Sequence, residues 1–118
     1  MEIYVAHSNS FDYKNELYAP LRKSELNIKH HIFFPHETDE FVNTKEIIKK
    51  SDIIVAEVSY PATGMGIELG WASDANKRIV CIFRTGSKVS GSLKVVCDKF
   101  IEYSDASDIV AKLSEAIS

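Results

Sequence analysis

Short apolar runs rich in β-branched residues recur along the whole chain, and a longer stretch of helical character follows each. The runs are EIYVA at 2–6, HHIFFP at 30–35, DIIVAEV at 52–58, RIVCIF at 78–83 and KFIEY at 99–103. Their length, branching and bounding residues mark them as strands. The last helical stretch, DASDIVAKLSEAI, sets Ile109, Leu113 and Ile117 four residues apart with Val110 beside them, an apolar stripe opposite a charged face. Strand and helix alternating end to end imply a mostly parallel sheet covered by helices on both sides. The expected fold is therefore a single three-layer α/β domain over 1–118, flavodoxin-like or Rossmann-like, with a five-stranded parallel sheet in the order 2-1-3-4-5.

Charge and composition narrow the partners. Fourteen Lys and Arg against seventeen Asp and Glu give a formal charge of -3, and no basic run could neutralise a row of phosphates, so polymeric nucleic acid is not an expected partner. The first twenty residues carry charges throughout and no stretch is long enough to cross a bilayer, so the expectation is a cytoplasmic protein without a membrane partner. Cys81 and Cys97 are sixteen positions apart, which fits neither a zinc pair nor a redox CxxC, and they read as reduced and structural. No metal or organic cofactor is expected.

In open parallel sheets, ligands bind beyond the carboxyl ends of the strands where the strand order reverses, here between strands 1 and 3. Two segments occupy that place: HSNSFD after strand 1 and SYPATGMGIELG after strand 3. The second holds Pro61, Gly64 and Gly66, suited to a tight turn and to close approach of backbone to a ligand. If the third helix begins near Gly64 or Met65, then Met65, Leu69 and Ala72 face the sheet and Glu68 sits beside that stripe, one turn in. Two readings of Glu68 stand at this point: a solvated first-turn carboxylate chosen for the helix dipole, or a functional group on the floor of the crevice.

The segment SDIIVAEVSYPATGMGIELGWASDANKRIVCIFR, from Ser51 to Arg84, resembles the core of the nucleoside 2-deoxyribosyltransferase superfamily, and is most similar to the 2′-deoxynucleoside 5′-monophosphate N-glycosidase branch. The matching positions are Asp52, Ala56, Glu57, Pro61, Gly64, Gly66, Glu68, Leu69 and Gly70. The resemblance implies that Glu68 is a nucleophile attacking the anomeric carbon of a 2-deoxyribose, with a glycosyl-enzyme ester resolved by water or by another base. A carboxylate suits an oxocarbenium-like transition state. It implies further that Tyr4 helps hold the nucleophile and sugar, and that Ser92 reaches the 5′-phosphate of a substrate in a neighbouring subunit of a homodimer. Without the resemblance, Tyr4 reads as a packed strand residue and Ser92 as a turn or cap serine. Trp71 reads as an interface residue or as helix packing.

The chain departs from that pattern in three places. AHSNSFD replaces a Ser-Ile-Arg-Gly-like turn, keeping Ser8 as a polar contact. Ala62 replaces a phosphate-touching serine, with Thr63 beside it as a stand-in. Thr44 stands where the family carries its second carboxylate, the proton donor to the leaving base. FPHETDE, at the end of strand 2, offers a substitute in His36; His7, at the end of strand 1, is the second choice, each having a surface or capping role as its alternative. The expected partner is a small nucleoside or nucleotide and the expected reaction is cleavage or transfer of its N-glycosidic bond. The competing expectation is a non-catalytic nucleotide sensor that kept the crevice and lost the acid.

Overall fold

The computed structural model describes residues 1–117. Five strands, β1 (Glu2–His7), β2 (His31–Phe33), β3 (Ile53–Glu57), β4 (Arg78–Arg84) and β5 (Phe100–Tyr103), form one sheet in the order β2-β1-β3-β4-β5. All four pairings are parallel. The expected fold and strand order are thus observed, with no strand boundary moved by more than two residues. The helices are α1 (Ala19–Arg22), α2 (Glu25–Lys29), α3 (Thr44–Lys50), α4 (Thr63–Asp74) and α5 (Ala106–Ile117). A π-helical segment at Lys14–Tyr18 leads into α1, and a 3₁₀ segment at Gly91–Val95 precedes β5.

Side chains alternate across the sheet, as the pleat requires, so each face has its own core. Ile3, Val5, Ile53, Val55, Val80 and Ile82 point to the face covered by α5, α1, α2 and the π-helical segment. There Ile109, Leu113 and Ile117 are buried, the stripe expected from the sequence. Tyr4, Ala6, Ile54, Ala56 and Cys81 point to the opposite face, covered by α3 and α4 through Ile48, Met65, Leu69 and Ala72. Parity along β1 therefore sends Tyr4 toward α4 and His7 toward the π-helical segment.

Helix α4 begins one residue before its expected start, after Ala62 in extended conformation (φ -153, ψ 133). It ends in a Schellman turn: Asn76 takes positive φ (58), Asn76 N–H bonds Ser73 O, and Lys77 N–H bonds Ala72 O. The tight turn expected of Gly64 and Gly66 is not seen. Both are regular residues of α4, neither has positive φ, and a Cβ on either would meet open space. The chain bends at Ser59 and Tyr60, ahead of the helix, and the glycines leave the first turn bare. Cys81 and Cys97 are free and buried, as expected. Among the described residues no helix is long and apolar enough to cross a membrane.

Candidate active site

A cleft of about 720 Å³ opens beyond the carboxyl ends of β1 and β2, between the turn after β2, the start of α3 and the first two turns of α4. It lies at the reversal of strand order. Another groove, of about 880 Å³, lies against the start of β4, lined by Lys77, Arg78, Lys94, Lys99 and Lys112. None of the expected site residues line that groove.

Glu68 lines the cleft and is half-buried. The Tyr4 hydroxyl donates to Glu68 Oε2 at 2.5 Å, and Oε1 has no partner among the described residues. Tyr4 is fully buried (0 % exposed). Burial, then the bond to the Glu68 carboxylate, pushes its phenol far above the usual range, so it stays a donor. Thr44, the first residue of α3, lines the same cleft and its hydroxyl faces that of Tyr4. Thr44 thus brings an alcohol to the cleft, and an alcohol cannot deliver a proton near neutrality as a carboxyl or an imidazole does.

Helix α4 points its amino end at this cleft with no side-chain cap. Gly66 N–H already bonds Ala62 O, whereas the N–H groups of Thr63, Gly64 and Met65 have no intrahelical acceptor. With Ala62 and Gly64 lining the cleft, this bare end suits an anion. Gly64 and Glu68 are one turn apart, about 6 Å along the axis.

His36 and His7 also line the cleft, with ring centres 5.4 Å apart and planes at 74°. They differ in what they can do. His7 is buried, and both its nitrogens are engaged: Nδ1 lies 2.8 Å from Ser8 O and Nε2 2.5 Å from Tyr18 Oη. Burial lowers its pKa to about 4. The neutral ring is therefore favoured at pH 7, with one nitrogen engaged by Ser8 O and the other by Tyr18 Oη. His36 is exposed and its imidazole has no hydrogen-bond partner among the described residues.

Ser8 is buried, accepts the Ser10 N–H at 3.0 Å and does not reach the cleft lining; Thr63 and Gly66 are exposed and lie outside it as well. Ser92 is exposed on the 3₁₀ segment, away from this cleft. Sequence reasoning missed Tyr13, Asn9, Phe41 and Ile67, all of which line the cleft. Phe41 (96 % exposed) and Ile67 (50 % exposed) are apolar residues facing water, which a linear pattern read for buried stripes does not flag. It also missed Tyr18.

No family model matches the chain. A 5-hydroxymethyl-dUMP N-hydrolase of Tetraodon nigroviridis is 41 % identical over 51 residues, covering 42 % of this chain and 36 % of that protein. The chain is similar to the deoxynucleoside-monophosphate N-hydrolases. The matched stretch thus spans little more than a third of that relative's length. The fold is shared with a CMP N-glycosidase of Clostridium botulinum, BcmB, at a TM-score of 0.75 and 18 % identity over 98 % of this chain and 99 % of that one. A 2-desoxiribosyltransferase from Leishmania mexicana aligns with a TM-score of 0.56 at 20 % identity, over 70 % of this chain and 63 % of its own. These likenesses bear out the superfamily resemblance read from Ser51–Arg84.

Proposed function

We propose that the protein cleaves the N-glycosidic bond of a 2′-deoxynucleoside 5′-monophosphate, with Glu68 as nucleophile. The observation that carries the reading is the Glu68 carboxylate in the cleft at the strand-order reversal, held from behind by the buried Tyr4 hydroxyl. Tyr4 holds Oε2 and leaves Oε1 to attack the anomeric carbon. As the Oε1–C1′ bond forms, the C1′–N bond breaks and its electron pair stays on the base. The His36 imidazolium gives that base a proton, then takes one from the water that cleaves the ester, so enzyme and acid are both restored. The 5′-phosphate sits at the bare amino end of α4, a turn away from Glu68, a spacing on the scale of the sugar-phosphate unit. A homodimer would let the exposed Ser92 reach the phosphate of its partner's substrate.

Thr44 in place of a carboxylate favours a second reading, a nucleotide sensor with the same crevice. The two separate on one assay. Purified protein is incubated with 2′-deoxynucleosides and their 5′-monophosphates, with and without free adenine, and base release or exchange is followed by chromatography. Base release from monophosphates that is abolished in Glu68→Ala is the expected result. Saturable binding without turnover would replace the enzyme reading by the sensor.

A further inference from the structure

The aromatic side chains behind the cleft converge on one hydroxyl. Tyr18 comes from the π-helical segment, is buried (3 % exposed), and packs against Phe34 at 4.9 Å and Tyr13 at 5.2 Å between ring centres. Its Oη lies 2.5 Å from His7 Nε2 and accepts the backbone N–H of His36 at 3.1 Å. The neighbours fix the direction of each bond. A carbonyl can only accept, so His7 Nδ1 carries its hydrogen toward Ser8 O. In the neutral ring, which burial favours, His7 Nε2 then accepts and the Tyr18 hydroxyl donates to it. Burial pushes the Tyr18 phenol well above its usual range, so the hydrogen stays available. A single oxygen thereby ties the end of β1 to the turn after β2, two sides of the same cleft.

We infer that Tyr18 is a positioning residue for the cleft: it locks His7 as the uncharged Nδ1–H tautomer and pins the backbone at His36, holding the His36 imidazole over the reacting base. The inference rests on the reading of His36 as proton donor. A neutral His7 is part of the arrangement, because a second cation 5.4 Å away would oppose a charged His36. The device is local in space and dispersed in sequence, since His7 and Tyr18 are eleven residues apart and Tyr18 and His36 eighteen.

Tyr18→Phe keeps the ring and removes the bridge. Base release would be measured for two 2′-deoxynucleotides, one with a natural base and one whose base is acidic enough to leave unprotonated, with His36→Ala, Glu68→Ala and thermal unfolding alongside. Tyr18→Phe is expected to resemble His36→Ala: loss of about 100-fold on the natural base from misplacement of the donor, with the first-turnover release of base from the activated substrate at close to the wild-type rate, because that step needs no proton from His36. Glu68→Ala should lose both. Equal loss on both substrates in a Tyr18→Phe protein that melts like wild type would overturn the inference. Nitrogen NMR of the wild-type imidazoles decides it independently of turnover or of how the variant folds. The expected spectrum shows His7 as a pure Nδ1–H tautomer at pH 7; a protonated or Nε2–H His7 would overturn the inference, while absence of turnover alone would sink only the enzymatic reading.

Discussion

Glu57 sits at the end of β3 only 1 % exposed, and its carboxylate is held entirely by uncharged donors. Ser59 N–H donates to Oε1 at 2.7 Å, Ser59 Oγ to Oε2 at 2.9 Å, and the Tyr103 hydroxyl to Oε2. Ser59 Oγ in turn accepts the Arg84 N–H at 2.8 Å, so this carboxylate joins β3, β4, β5 and the start of the loop that delivers α4. Tyr103→Phe preserves the buried ring and deletes one hydrogen bond to the carboxylate. Bonds to ionised groups contribute about 1.5–3 kcal/mol. For a domain of this size, about 3–5 °C of melting temperature goes with each kcal/mol, so the midpoint should fall by about 5–15 °C in calorimetry. Loop order should suffer as well, read as faster amide exchange at Ser59 and Tyr60. A drop below about 2 °C would mean that the Tyr103 hydroxyl does not support Glu57, and that the carboxylate is not the anchor of the loop.

Other expectations follow from the same geometry. His7 has a folded pKa near 4 against an ordinary 6.5, so the unfolded chain binds a proton that the fold refuses; stability should fall as pH drops from about 6.5 to 4, checked by unfolding at each pH with NMR titration of His7. Leu113→Ala empties a site 1 % exposed between α5 and the sheet and should cost about 2–5 kcal/mol in denaturant unfolding. Arg84→Met breaks the 2.8 Å ion pair with Glu16, but both side chains are 39 % exposed, and the loss should be below about 1 kcal/mol in the same assay.

The sheet was legible because its signal is local. Ile53 to Val58 could hardly be anything but an interior strand, and the four-residue spacing of Ile109, Leu113 and Ile117 names both helix and buried face. The placement of Glu68 in the cleft was legible because its helix stripe and its position after strand 3 agree. The rest of the site depends on pairings that no spacing encodes. Tyr4 meets Glu68 across sixty-four residues, Glu57 meets Tyr103 across forty-six, and His7 loses both ring nitrogens to groups that only the fold assembles. The π-helical turn that aims Tyr18 inward has no pattern of its own in KNELY. The glycines misled in the other direction: their flexibility suggested a turn, whereas both are regular residues of α4.

Whether Glu68 bonds to the sugar can be read from a rapid-quench mass analysis. Protein mixed with the preferred 2′-deoxynucleoside 5′-monophosphate would be quenched in acid during turnover and digested, and the peptide carrying Glu68 examined for a deoxyribosyl-phosphate adduct. The expected result is an adduct on Glu68 that appears within the first turnover and is missing from Glu68→Ala. Base release that persists in Glu68→Ala, or an adduct on another residue, would rule out Glu68 as the nucleophile.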